Sequence, residues 1–159
     1  MSGLANILLW LTLTAIGLVI EMYLPKIDAM VPILILLLQE RNYKTIFWLV
    51  PIFVLLQEGL GTRIFGGTIV WYVVICTLFK IGERFFSTVT FLFVFFLSAG
   101  IGLAYYVLNI LLAPLQNFEV ETQQLIDSSL LQAIFIPLGW LIVKRFRPHV
   151  EDTQPLNHD

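Results

Sequence analysis

The residues whose types and spacing could do chemistry are concentrated in residues 57–67, which read Gln-Glu-Gly-Leu-Gly-Thr-Arg-Ile-Phe-Gly-Gly. A carboxylate and a guanidinium stand there among four glycines, in a chain that is otherwise strongly apolar. Because glycine permits positive φ and close approach, the stretch predicts a tight non-helical crossing between two helices. Irregular backbone at membrane depth is tolerated only when it is buried in protein or lines a wet cavity. We therefore expect this stretch to face the interior of a helical bundle.

The ionisable residues Glu21, Glu58 and Arg63 could form an internal ion pair, a binding site or an ion path. Arg63 could pair with Glu58 or with Glu21, and this structural role is as well supported as a binding role. An ion path would need ionisable groups well inside the bilayer. All three residues lie near the expected outer ends of helices, where side chains extend to water, so a structural corner or docking surface is favoured. The candidate site comprises Gln57, Glu58, Gly59, Gly61, Arg63, Gly66, Gly67 and Glu21.

The sequence lacks the common catalytic and cofactor-binding patterns. It has no Gly-x-Ser-x-Gly, no His-Glu-x-x-His and no P-loop. Both histidines, His149 and His158, lie in the polar C-terminal tail, which disfavours haem ligation between helices. The single Cys76 excludes an intrachain disulfide and a multi-cysteine metal site. The sequence therefore predicts no enzymatic activity, no cofactor, no metal and no nucleic-acid partner.

The composition is that of an integral membrane protein in contact with the lipid bilayer. Hydrophobic residues make up 58% of the 159 residues and charged residues only 13%, whereas soluble domains carry about 25% charged residues. The apolar runs are continuous rather than alternating, which favours helices over a β-barrel. Since each spanning helix needs about 20 residues, there is room for one bundle. We expect a single domain over residues 1–147 and a polar, disordered tail over residues 148–159.

Charges, prolines and turn residues divide the chain into six apolar segments. They are residues 4–24, 29–39, 45–57, 64–81, 88–113 and 129–146. The second and third are short for spanning helices, so a re-entrant pair with four true spans is the alternative. The start of the sixth rests on Ser129 and Gln132, which have the spacing of a capping box.

The distribution of Lys and Arg decides between six spans and four. Positive residues gather on the cytoplasmic side of short loops. Six spans place seven Lys and Arg on one side and two on the other, whereas four spans give five and four. The sequence therefore predicts an all-α polytopic membrane protein with six transmembrane helices and both termini cytoplasmic. On this topology residues 57–67 lie at the outer ends of the third and fourth helices.

A set of small residues in the fifth segment predicts close helix packing. Ser98 and Gly102 are four residues apart, and so are Gly100 and Ala104, which makes two small-xxx-small pairs. Small side chains allow helices to approach closely in a membrane. We expect this packing seam to lie within the bundle rather than against another chain.

The order of these features resembles the rod-shape-determining protein MreD family. The resemblance is carried by the basic turn Glu-Arg-Asn-Tyr-Lys at residues 40–44 and by the helix end Leu-Leu-Gln-Glu-Gly-Leu-Gly at residues 55–61. A later basic turn with Lys80 and Arg84 and a last helix closed by Lys-Arg-Phe at residues 144–146 complete it. In that family the corresponding helix ends in an acidic residue, usually Asp, followed by a small-residue turn, and Glu58 stands at this position. The resemblance covers residues 28–146.

The resemblance implies a non-enzymatic scaffold of the bacterial inner (cytoplasmic) membrane that acts in cell shape. It also implies association with an MreC-like membrane protein and with other proteins of the peptidoglycan-elongation complex. An alternative is a substrate-binding S component of an energy-coupling-factor vitamin transporter, which this chain resembles in size and six-helix plan. Against it, the Ala-x-x-x-Ala motif expected on the first helix of those proteins is missing. A third possibility is a structural subunit of another membrane complex.

Overall fold

The computed structural model of the chain describes residues 3–59, 66–88, 90–112 and 122–146. Within these residues the protein consists of six helices and has no strand, which confirms the all-α prediction for the described part of the chain. The helices are α1 (Gly3–Tyr23), α2 (Met30–Gln39), α3 (Tyr43–Gly59), α4 (Gly67–Glu83), α5 (Phe91–Leu112) and α6 (Thr122–Arg145).

Three of the described helices are long and apolar enough to cross a membrane. Their apolar stretches are Asn6–Tyr23, Phe91–Leu111 and Gln123–Arg145, in α1, α5 and α6. Helices α3 and α4 have 17 residues each, which gives a length of about 26 Å against a hydrocarbon core of about 30 Å. Helix α2 has 10 residues and is about 15 Å long. Helix length thus supports three crossings, and the six predicted from charge stay a prediction.

The short helix α2 lies at the centre of the bundle. Its residues from Met30 to Leu37 are all buried, and it contacts α1, α3, α4 and α6. A helix that is apolar on every side can be covered by lipid or by other helices, and here the contacting helices cover it. Its contact with α6 is close at Gly139, where an added Cβ would lie 2.8 Å from Pro32 Cγ. Helices α1, α3, α4 and α6 are therefore arranged around α2.

Helices α5 and α6 share the most extensive interface among the described helices. At its tightest point Gly102 lies so close to α6 that an added Cβ would be 2.9 Å from the carbonyl oxygen of Ser129. Ser98 is buried, Ala104 packs against the core, and an added Cβ at Gly100 would meet nothing within 4 Å. Of the two glycines, Gly102 is thus the one at which α5 approaches α6 closely.

Helix α6 begins at Thr122, seven residues before the start predicted at Ser129. The hydroxyls of Ser128 and Ser129 donate hydrogen bonds to the carbonyls of Gln124 and Leu125, each four residues earlier. This is an arrangement of serines inside a helix. The capping box predicted at Ser129 is therefore wrong, because the polar residues before it continue the helix instead of forming a loop.

Candidate functional site

Six buried polar side chains meet near the N-terminal end of α2, and we call them the polar cluster. They come from α1, the α1–α2 turn, α3, α4 and α6, and none is more than 6% exposed. Its members are Glu21, Asp28, Gln57, Trp71, Tyr72 and Gln132. Burying a carboxylate in an apolar bundle is costly unless it accepts hydrogen bonds. The donors that reach Glu21 and Asp28 therefore decide what the cluster does.

Asp28 is the acceptor at the centre of the polar cluster. Trp71 Nε1 donates to its Oδ2 at 2.9 Å, and Gln57 Nε2 donates to its Oδ1 at 3.0 Å. The backbone N–H of Met30, the first residue of α2, also donates to Oδ1 at 3.1 Å. The first N–H groups of a helix have no partner within the helix and favour a nearby negative charge. Asp28 therefore anchors the start of α2 as well as binding α3 and α4.

Glu21 lies in the last turn of α1 and faces the same helix start. Its Oε1 accepts from the backbone N–H of Ala29 at 3.0 Å and from Gln57 Nε2 at 2.9 Å. A carboxylate at the C-terminal end of its own helix is unfavourable, but the N-terminal end of α2 offsets this. The side chain is only 6% exposed, so the expectation that Glu21 extends to water is wrong. The inward-facing donors explain the difference.

Gln57 connects the two carboxylates to α4. Its Nε2 donates to both Glu21 and Asp28, and its Oε1 accepts from the hydroxyl of Tyr72 at 2.9 Å. The two carboxylates fix the orientation of the amide, because only the nitrogen can donate to them. One side chain, 1% exposed, thus joins α1, the α1–α2 turn, α3 and α4.

Gln132 brings α6 into the polar cluster. Its Oε1 accepts from the backbone N–H of Asp28 at 2.8 Å, and its Nε2 donates to the carbonyl oxygen of Asp28 at 3.4 Å. Gln132 lies about 15 Å along α6 from Thr122 and about 20 Å from Arg145, at 1.5 Å per residue. The polar cluster is therefore well inside the length of α6 and not at its end.

The predicted site residues fall into two places in the structure. Gln57 and Glu21 are in the polar cluster, whereas Glu58 is half-buried outside it and its Oε1 accepts from the backbone N–H of Gly66 at 2.9 Å. This hydrogen bond links the end of α3 to the start of α4. Gly66 has φ of 81°, in the left-handed region that glycine adopts at low cost.

The other predicted residues do not contribute side chains to the polar cluster. Gly59 is exposed at the end of α3, and Gly67 is the first residue of α4. Gly61 and Arg63 lie outside the described residues, and so do the ion pairs predicted for Arg63. The tail at residues 148–159 is outside them as well.

Sequence reasoning did not select Asp28, Trp71, Tyr72 or Gln132 as site residues. Two of them carry a usable signal. Gln132 is an amide within an apolar run, and Asp28 immediately precedes the most apolar stretch of the chain's first half. Polar residues in such positions have to find partners inside the bundle. Trp71 and Tyr72 carry no comparable signal, because aromatic residues in an apolar helix are usually core residues.

A second, smaller group of polar contacts lies at the C-terminal end of α2. Trp140 Nε1 donates to Gln39 Oε1 at 2.7 Å, and Gln39 Nε2 donates to the carbonyl of Thr88. Just beyond α2, Arg41 forms an ion pair with Glu83 on the surface. The two ends of α2 are therefore held by different chemistry.

The polar cluster can hold chain segments in fixed positions, because its described hydrogen bonds each join one segment of the chain to another. Among the described residues there is no group of three or more His, Cys, Asp or Glu side chains that could hold a metal ion. Comparison with known proteins adds no assignment: no protein-family model, no curated protein and no solved structure matches the chain.

Proposed function

We propose that this protein is a non-enzymatic integral membrane scaffold of the bacterial inner membrane that acts in cell shape and peptidoglycan elongation, as an MreD-like protein. The observation that carries the proposal is the buried side chain of Gln57, which joins four chain segments through hydrogen bonds to Glu21, Asp28 and Tyr72. A scaffold needs helices in fixed relative positions, and this contact supplies them at the core of the bundle.

The hydrogen bonds that Glu21 and Asp28 accept support a structural role for the polar cluster. The described donors to Glu21 and Asp28 are side chains and backbone groups of the chain itself. Buried polar networks whose members are satisfied rigidify a core and favour one arrangement over its alternatives. The partners of the scaffold, an MreC-like membrane protein and other elongation proteins, are proposed from the sequence resemblance.

We further propose that all six helices lie in the membrane with both termini in the cytoplasm. Support comes from the seven-to-two division of Lys and Arg and from the separate polar contacts at the two ends of α2. The test is a topology reporter fused after Lys44, which is expected to be cytoplasmic. A periplasmic reporter would contradict the six-span arrangement.

The scaffold is tested by affinity purification of the full chain in mild detergent. We expect an MreC-like protein or other elongation proteins to be recovered with the wild type. Gln57→Leu, which disrupts the polar cluster, should lower their recovery, whereas Gln123→Leu, an exposed glutamine of α6, should not. Recovery of a vitamin or of ATPase subunits in place of elongation proteins would contradict the proposal and favour an S component.

A further inference from the structure

An apolar groove of about 740 Å³ runs between α3 and α4. Its volume is in the range of about 300–1,000 Å³ found for small-molecule sites. The walls that matter here are Ile46, Val50 and Val54 of α3 and Ile69, Val73 and Lys80 of α4. The groove is distinct from the polar cluster but touches it through Tyr72, which lines the groove and also donates to Gln57.

The groove extends along most of α4. Ile69, Val73 and Lys80 lie on one face of α4, and the 11 steps along the chain from Ile69 to Lys80 correspond to a rise of about 17 Å. This is close to the depth of one leaflet, since the hydrocarbon core of a bilayer is about 30 Å thick. The groove therefore has the length of one extended acyl chain.

The wall of the groove is almost entirely apolar. A hydrocarbon chain seated along the groove therefore contacts apolar side chains over most of its length.

Lys80 supplies the charge at one end of the groove. It lies in the last turn of α4 and its side chain is exposed. The ion pair that the structure describes nearby joins Arg41 to Glu83 and does not include Lys80. Basic pockets between transmembrane helices on the cytoplasmic side bind the head groups of anionic lipids. Lys80 therefore complements a negative group placed at the mouth of an apolar groove.

We propose that this groove binds one anionic phospholipid, with an acyl chain between α3 and α4 and the phosphate at Lys80. The proposal rests on the membrane location given under Proposed function, and on that topology the lipid belongs to the cytoplasmic leaflet. It does not depend on the identity of the protein partners.

The test is native mass spectrometry of the full chain in mild detergent, titrated with phosphatidylglycerol or with phosphatidylcholine of the same acyl chains. The wild type should retain one phosphatidylglycerol and bind phosphatidylcholine more weakly. Lys80→Gln should weaken phosphatidylglycerol binding about fivefold, the effect of one basic residue at a membrane surface. Val73→Trp, which fills the groove from a position that is 60% exposed, should abolish retention of the lipid.

Two matched variants control for general effects. Arg145→Gln removes a basic residue from the last turn of α6, and Leu103→Trp adds the same bulk at a site on α5 that is 66% exposed. Both should bind phosphatidylglycerol as the wild type does. The proposal is overturned if Val73→Trp retains the lipid, if Arg145→Gln weakens binding as much as Lys80→Gln, or if a photo-crosslinker at position 73 in cells captures a protein instead of a lipid.

The lipid site and the scaffold can fail independently. Measuring protein partners on the same variants separates them, because Val73→Trp should lose the lipid and keep the elongation proteins. A wild type that retains phosphatidylglycerol through Lys80 but recovers no elongation protein would leave the lipid site standing and contradict the scaffold.

Discussion

The two ends of α2 are held in contrasting ways. At the N-terminal end, four side chains of the polar cluster surround its two carboxylates, and all six are at most 6% exposed. At the C-terminal end, the contacts are a neutral Gln39–Trp140 hydrogen bond and an ion pair whose partners, Arg41 and Glu83, are 71% and 34% exposed. The two buried carboxylates are thus stabilised by several hydrogen-bond donors. The charges of the surface ion pair are stabilised by each other and by water.

This contrast determines how each end responds to a substitution. Removing a buried acceptor leaves its donors without a hydrogen bond, so the free energy of unfolding falls by the desolvation penalty of each donor. An exposed charge that loses its partner is solvated by water, so little free energy is lost. The stability of the fold should therefore depend far more on the polar cluster than on the contacts at the other end of α2.

The largest effect is expected for Asp28→Ala. Trp71, Gln57 and the backbone of Met30 lose their shared acceptor, so the free energy of unfolding should fall by about 3 kcal/mol or more. Equilibrium unfolding in detergent micelles measures it. Asp28→Asn, which keeps one side-chain oxygen, should cost less than Asp28→Ala. A loss for Asp28→Ala no larger than that of a surface substitution would show that the cluster is not a source of stability.

A smaller loss is expected for Gly102→Ala, which provides a reference away from both ends of α2. The added methyl group would lie 2.9 Å from the backbone oxygen of Ser129 and should separate α5 from α6 at a cost of about 1–3 kcal/mol. Gly100→Ala has free space and should be neutral or stabilising by up to about 1 kcal/mol. Thermal unfolding of both variants compares them, and equal midpoints would contradict the assignment of Gly102 as the contact point.

Gln39→Leu should have a moderate effect at the C-terminal end of α2. It removes the hydrogen bonds with Trp140 and Thr88 in a partly buried site, which corresponds to about 1 kcal/mol of unfolding free energy. Unfolding under the same conditions as for Asp28→Ala gives the comparison. A loss equal to that of Asp28→Ala would remove the contrast between the two ends.

The smallest effect is expected for Arg41→Ala. Arg41 has φ of 51°, and alanine has a similar cost for this left-handed backbone, so the substitution isolates the ion pair. The unfolding free energy should change by less than about 1 kcal/mol, as is usual for exposed pairs. A substantially larger change in the same unfolding assay would mean that the surface pair holds the bundle together.

The sequence was most informative where polarity changes abruptly. The segment predicted at residues 29–39 corresponds to Met30–Gln39 of α2, because charged turns bound it on both sides. The same criterion predicts a loop for the polar first two turns of α6, which are helical in the structure. Helix formation by polar residues depends on backbone hydrogen bonding and on packing against α5, and hydropathy does not report either.

The polar cluster was predictable only in part for a related reason. Gln57 and Glu21 are predictable as site residues because they interrupt apolar runs at helix ends. Asp28 and Gln132 are 104 residues apart, and no local pattern states that they meet. Trp71 and Tyr72 each contribute one donor from a ring that is otherwise apolar. Their role can be recognised only when the positions of their acceptors, the Asp28 carboxylate and the Gln57 amide, are known.

The most direct test of the central claim is a double-mutant cycle between Gln57 and Tyr72, with Gln57→Leu and Tyr72→Phe, measured by equilibrium unfolding. If the polar cluster ties the helices together, the coupling free energy should be about 1 kcal/mol. The matching cycle of Arg41→Ala and Glu83→Ala at the other end of α2 should give less than about 0.5 kcal/mol. A Gln57–Tyr72 coupling at or below that of the surface pair would contradict the account.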